Sequence, residues 1–234
     1  MSFYLNWDAE GERLYENGVR RGVLYPQDPT TGAYEDGVVW NGLTSIQVTP
    51  SGGEANAQYA DDIKYLNLYS LEEVGATIEA FTYPDEFEPC DGSKPVAANS
   101  KLYARTQTRK PFGLCWRTNV GTDLDDEAAY IIHIMYGCKA SPSERQYQTI
   151  NDSPEPITFS WEVSTTPPVI GLEGFRDTSL FEINTKDLTT DAERTMLTNL
   201  ENKLYGTAAT GGTEAVMPTL PTVAQLIADM TPQG

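Results

Sequence analysis

Basic side chains are scarce in this 234-residue chain: 16 Lys and Arg stand against 34 Asp and Glu, a formal charge of −18. So acidic a surface repels polyanions and argues against the nucleic-acid backbone as a bound partner, which needs clustered Lys and Arg. It leaves open a negative wall past which DNA slides without sticking. Histidine occurs once, at His133, and cysteine three times, at Cys90, Cys115 and Cys138. The cysteines are odd in number, widely spaced and free of any CxxC pair, which argues against a disulfide framework or a zinc ribbon. They read as thiols of an intracellular assembly compartment. Apolar runs are all too short to span a membrane. The N-terminus, MSFYLNWDAEGE, is acidic and lacks the apolar h-region of a secretory signal.

What is present is enough apolar material to fold: 39% hydrophobic and 10% aromatic, with 13 tyrosines. Gly18–Tyr25 predicts a first strand, stopped by Pro26, and Val38–Val48 predicts strand, turn, strand, with Asn41-Gly42 suited to a type I′ turn. Between them QDPTTGAYEDG is loop, and TPSGGE after Val48 is a second. The stretch Tyr59–Gly92 holds two strand-like runs, Ile63–Leu71 and Ala76–Tyr83, joined by a short acidic link. Both alternate with a period of two and mixed faces, as in a sheet that meets something on each side. Lys94–Lys110 is the only basic part of the chain and reads as an extended loop.

Pro111–Arg117 is a short strand candidate. Ala128–Cys138 (AAYIIHIMYGC) is apolar on both parities and predicts a central, doubly covered strand. Ser153–Pro156 reads as a turn. After it Ile157, Phe159, Trp161 and Val163 alternate with polar residues, the pattern of a half-buried strand. Val169–Ile183 allows one more strand. Thr190 and Glu193 make a capping box ahead of a helix striped by Ala192, Met196, Leu197, Leu200 and Leu204, and Gly206 suits its stop. Thr207–Thr213 reads as a flexible linker, and a last amphipathic segment follows Pro221 with Val223, Leu226, Ile227 and Met230 on one face. Many short strands followed by late helices indicate a β-sandwich or barrel with a helical C-terminal appendage.

Chemistry is hard to find. His133 lies inside an apolar strand and reads as a satisfied core or interface histidine, and no nucleophile elbow accompanies it. The clusters Asp85-Glu86-Glu88 and Asp123-Asp125-Asp126-Glu127 lack the spacing of a calcium loop and read as solvated turns. Gly52-Gly53 and Gly211-Gly212 belong to no phosphate-binding pattern. The Lys94–Lys110 stretch could touch an anion or meet the acidic surface of a neighbouring copy. The expectation is a non-enzymatic chain with no catalytic residues, cofactor or metal.

Several separate segments, in order, resemble one family. They are YENGVRRGVLY (Tyr15–Tyr25), GVVWNGLTSIQVTPSGGE (Gly37–Glu54), the Tyr59–Gly92 stretch, KPFGLCWRTNVG (Lys110–Gly121), YIIHIMYGCKASPSERQY (Tyr130–Tyr147) and EPITFSWEVSTTP (Glu155–Pro167). With the helix ending Leu204-Tyr205-Gly206 and the later Leu220-Pro221-Thr222, they are similar to the major tail (tail tube) proteins of long, non-contractile-tailed bacteriophages, siphophage in type.

The resemblance implies a mainly β fold, a tail-tube sandwich or barrel with a short helix beside the sheets. It implies hexameric rings stacked into a hollow tail in the virion, built in the host cytoplasm. Its partners would be copies of itself, a tape measure protein and tail completion or tip proteins. Double-stranded DNA would be passing cargo only, and no membrane would be involved.

On this basis the chain divides into an N-terminal arm (1–14), a tube domain (15–185), a helix on or near the sandwich (186–206) and a linker with the C-terminal amphipathic segment (207–234). If Ala76, Ile78 and Ala80 face the core, Glu79 faces the lumen or a neighbour, and Asp85–Asp91 becomes a rim or contact element. Two other readings stay open: a carbohydrate- or receptor-binding β-sandwich adhesin, and a secretion-system tube protein of related architecture.

Overall fold

The computed structural model describes residues 7, 9–97, 100–150, 152, 155–171, 173–208 and 211–219. The expected amphipathic stripe Val223–Met230, most of the arm's first eight residues and part of the Ser153–Pro156 turn lie outside them.

Among the described residues, twelve antiparallel strands and one α-helix follow in order: β1 (Tyr15–Pro26), β2 (Val38–Trp40), β3 (Leu43–Ser51), β4 (Ala55–Ala60), β5 (Ile63–Tyr69), β6 (Glu73–Ala80), β7 (Lys94–Pro95), β8 (Tyr103–Ala104), β9 (Phe112–Gly121), β10 (Ala129–Ala140), β11 (Phe159–Thr165), β12 (Leu180–Asn184) and α1 (Asp191–Tyr205). The main sheet runs β2-β1-β9-β10-β11-β6-β3, with β12 on β10; β4-β5 and β7-β8 form two separate ribbons. The fold is mainly β, a β-sandwich with a short helix, as the sequence pattern indicates.

The sheet doubles back on itself. Leu24 of β1, Leu114 and Trp116 of β9 and Met135 of β10 share one buried cluster with Ala76, Ile78 and Ala80 of β6 and Trp161 and Val163 of β11. The edges of the two halves meet at Gly22, where a Cβ would lie 2.3 Å from Leu43 Cδ1 and 3.0 Å from the Trp40 carbonyl. A second cluster lies on the outer face: Val23, Cys115, Ile132, Ile134 and Tyr136 pack against Leu200 and Leu204 of α1. Strand β10 is therefore apolar on both parities because one face meets the sandwich interior and the other meets the helix. It also forks: Ile131–Met135 pair with β12, and Cys138–Ala140 pair with β11. The irregularity between them holds Gly137 at φ 61°, where a Cβ would strike the Thr166 carbonyl oxygen at 2.3 Å.

The helix begins as its sequence dictates. Thr190 accepts from Glu193 N and Glu193 accepts from Thr190 N, a complete capping box.

Four expectations are corrected. Val38–Val48 is not a hairpin: β2 pairs with β1 and β3 with β6. Only Gly42 has positive φ, and its carbonyl accepts from Phe81 N, so Asn41-Gly42 is a crossing between the two halves. The runs Ile63–Leu71 and Ala76–Tyr83 do not pair with each other: Ile63–Tyr69 pairs with β4, whose sequence, ANAQYA, alternates only small or single apolar residues with amides. Asp85–Asp91 is not surface alone. It forms a 3₁₀ turn that drives Phe87 and Cys90 fully into the core, where Phe87 stacks edge-on with Phe112 and Trp161. The Thr207–Thr213 linker closes on itself, with Thr207 N donating to Thr213 O at 3.0 Å. The chain beyond it returns to the sheet because Met217 is buried and Pro218 O accepts from Tyr136 Oη at 2.8 Å.

Candidate assembly surface

The residues considered for chemistry are occupied by structure. His133 is buried, lies flat on the Trp116 ring with centroids 4.9 Å apart, and sits 2.9 Å from Glu182 Oε1 through Nδ1 and 2.9 Å from Thr118 Oγ1 through Nε2. Both ring nitrogens are engaged, so the imidazole ties β9, β10 and β12 together. The acidic turn 123–127 fastens the start of the chain. Asp123 accepts from Gly11 N at 2.9 Å, Asp126 from Tyr15 Oη at 2.6 Å, and Glu127 from Arg20 and Asn119. The other cluster is dispersed: Asp85 and Glu86 are exposed and Glu88 accepts from Tyr83 Oη.

Asp91 is buried with its carboxylate shared by Trp161 Nε1, Arg105 and Arg145, which pins the irregular chain after β10 to the core. Neither reading of Asp85–Asp91 on the sequence marked this residue; its signal was an acidic residue in reach of Arg105 and Arg145, which only folding reveals.

The cysteines are buried and free. Burial pushes the Cys90 and Cys115 thiols up to about 12 and that of Cys138 higher still. Thiols that resist ionisation are poor nucleophiles and poor metal ligands. Among the described residues no group of three His, Cys, Asp or Glu side chains is placed to hold a metal ion.

Among the described residues, the surface that lacks a partner is the β4–β5 ribbon. Strands β3 and β6 pair out to Ser51↔Glu73, and β4 and β5 then resume from Ala55↔Tyr69, so Leu43–Ala80 is one long hairpin broken once. The break lies at Gly52 and Gly53, with φ of 82° and 70°; a Cβ on Gly52 would stand 2.2 Å from the Leu71 carbonyl oxygen. Beyond it the ribbon extends some six residues, about 20 Å at the strand rise. Its large side chains are exposed on both parities: Ile63 (63%), Tyr65 (69%) and Tyr69 on one, Leu66 and Leu68 (56%) on the other. At its base an open groove of about 820 Å³, lined by Tyr69, Leu71, Val74 and Phe175 among others, continues the apolar surface.

Two-stranded ribbons are marginal in water on their own. Single chains also protect strand edges with charge, yet Leu43–Ala60 carries one charged residue, Glu54.

A second surface is the outer face of β3, β6 and β11. Ala76, Ile78 and Ala80 are buried, which places Thr77 and Glu79 on the opposite face. Cross-strand pairing sets Glu79 beside Ser45 and Ser160, and Thr77 beside Gln47 and Glu162. The face is hydroxylic and acidic, with Lys139 at its margin beside Ser164.

Fold and surface together define an antiparallel β protein whose prominent feature is an unpartnered ribbon. No family model matches the chain, and no curated protein does. Among solved structures it is similar to a chain of the six-fold symmetrised cryo-EM baseplate of the anti-feeding prophage. That match has a TM-score of 0.28 and 8% identity, covering 71% of this chain and 95% of the other.

Proposed function

We propose that this chain is a structural subunit that assembles with copies of itself into stacked hexameric rings, the tube of a phage tail through which DNA passes. The observation that carries the proposal is the β4–β5 ribbon, which exposes large apolar side chains on both faces, has no charged residue on β4 and is joined to the body by a two-glycine break. Such a ribbon gains stability only when another surface covers it. Hexameric order, the tape measure and tail-tip partners and DNA as cargo follow from the family resemblance of the sequence. The hydroxylic face carrying Glu79 and Glu162 suits a lumen, since carboxylates there repel phosphates and give the genome nothing to hold.

The test is direct. Purified chain, concentrated stepwise and viewed by negative-stain microscopy, should give rings or hollow tubes of constant diameter. A chain that stays monomeric at every concentration sinks the proposal. A second reading has one observation in its favour: Tyr59, Tyr65 and Tyr69 are exposed, as in aromatic platforms that stack on sugars. A glycan array separates this adhesin reading from the first. Genomic neighbours separate a phage tail from a secretion-system tube.

A further inference from the structure

Two small ribbons stand off the body of this chain, and their chemistries are opposite. At the tip of β4–β5, Asp61 and Asp62 occupy both central turn positions with φ of 52° and 60°. Asn-Gly takes those conformations at lower cost, so a pair of adjacent carboxylates is an expensive choice there. Neither makes an ion pair among the described residues. Around them Tyr59 (72%), Ile63 and Tyr65 are exposed.

The other ribbon is β7–β8, extended by Val96 N donating to Leu102 O at 2.9 Å. It belongs to Lys94–Lys110, which has five basic residues and no acidic one. Arg105 is committed to Asp91 and Lys110 to Glu35. Lys94 and Lys101 are exposed and make no ion pair among the described residues. Beside them Val96, Leu102 and Tyr103 are exposed.

This inference rests on the assembly reading above and names its contact. We propose that the β4–β5 tip of one copy docks on the β7–β8 ribbon of the next. Asp61 and Asp62 meet Lys94 and Lys101, while Tyr59, Ile63 and Tyr65 cover Val96, Leu102 and Tyr103. Charge complementarity selects the occupant: in a chain of charge −18, the one basic ribbon is where an acidic tip is attracted, and the rest of the surface repels it. The apolar flanks supply the burial that an exposed ion pair lacks. The two surfaces differ, so the contact is heterologous. Every docked copy still presents a tip and a receptor, and growth ends only by closing a ring or continues as a stack.

The test swaps the charges in the full chain. The tip variant is Asp61→Lys with Asp62→Lys, and the receptor variant is Lys94→Glu with Lys101→Glu. Sedimentation velocity and negative stain over a concentration series read assembly, and thermal unfolding by circular dichroism confirms folding. Each variant alone should need about tenfold more protein to assemble than the unsubstituted chain. An equimolar mixture of the two, or all four substitutions in one chain, should restore assembly. Asp61→Asn with Asp62→Asn keeps the backbone comfortable and should weaken assembly in the same sense, which covers the case of a misfolded reversal. Variants that assemble like the unsubstituted chain, or folded variants that neither mixing nor combination rescues, overturn the contact and leave the assembly reading standing. An unsubstituted chain that never assembles overturns both.

Discussion

Asp91 is the residue on which most of the loop structure hangs. Its carboxylate is buried and reached by Trp161 Nε1 at 3.1 Å, by Arg105 and by Arg145. Asp91→Ala leaves Arg145 largely buried beside Tyr83 and Phe159 with no anion. Stranding a charge this way costs about 3 kcal/mol, readable as a lowered urea midpoint. Thr190→Ala removes one half of the capping box and should cost about 1 kcal/mol. The thiols set an alkaline limit. Burial holds the Cys90 and Cys115 thiols up at about 12 in the fold, against an ordinary thiol value of 9.0. A group raised on folding stabilises fully below its unfolded value and loses that contribution as pH rises through the folded one. Stability should therefore hold to about pH 9 and fall between pH 9 and 12, and iodoacetamide should label these thiols at pH 8 only after denaturation.

At the scale of elements the decisive piece is the Leu43–Ala80 hairpin. Its proximal half, β3 with β6, fills the sandwich with Ile78, Ala76 and Ala80; its distal half contacts little of the chain that bears it. Replacing residues 54–71 by a two-residue turn should leave the thermal midpoint within a few degrees, since no buried core residue is lost, and should abolish rings and tubes.

The sequence made the proximal half legible and obscured the distal one. Alternation marked β6 and β11, and an apolar run on both parities marked the doubly covered β10. The capping box marked α1 because a cap is a local motif. Strand β4 escaped because its alternation, Ala55, Ala57 and Tyr59 against Asn56 and Gln58, is short and built mostly on alanine, a weak apolar signal beside the Gly52-Gly53 loop. The Asn41-Gly42 crossing was mistaken for a hairpin because turn chemistry is local while strand pairing is not. The Asp85–Asp91 turn looked like surface because its four carboxylates hide the two residues, Phe87 and Cys90, that enter the core. Of the candidate surface, the basic loop was visible as composition, while Asp61-Asp62 passed unmarked inside a strand-like stretch. Their placement on two separate ribbons only the fold reveals.

For the whole molecule, charge and shape act together. If the face bearing Glu79 and Glu162 lines a lumen, Glu79→Lys with Glu162→Lys turns a repelling wall into an attracting one. Tubes built from that variant should retain DNA in pull-down at low salt and release it as salt rises, whereas unsubstituted tubes retain none. Equal retention by both would remove this face from the lumen.

The two-glycine break at Gly52 and Gly53 also carries a mechanical meaning. Only one of its residues is locked: Gly52 is wedged against the Leu71 carbonyl, while a Cβ on Gly53 would meet Glu72 Cβ only at 3.9 Å. A lever about 20 Å long joins the body through two short unpaired stretches, Gly52–Glu54 and Ser70–Glu72. Wherever such levers span from one copy to the next, the elasticity of the assembled filament is concentrated at these joints, and the rigid sandwiches between them move as undeformed beads.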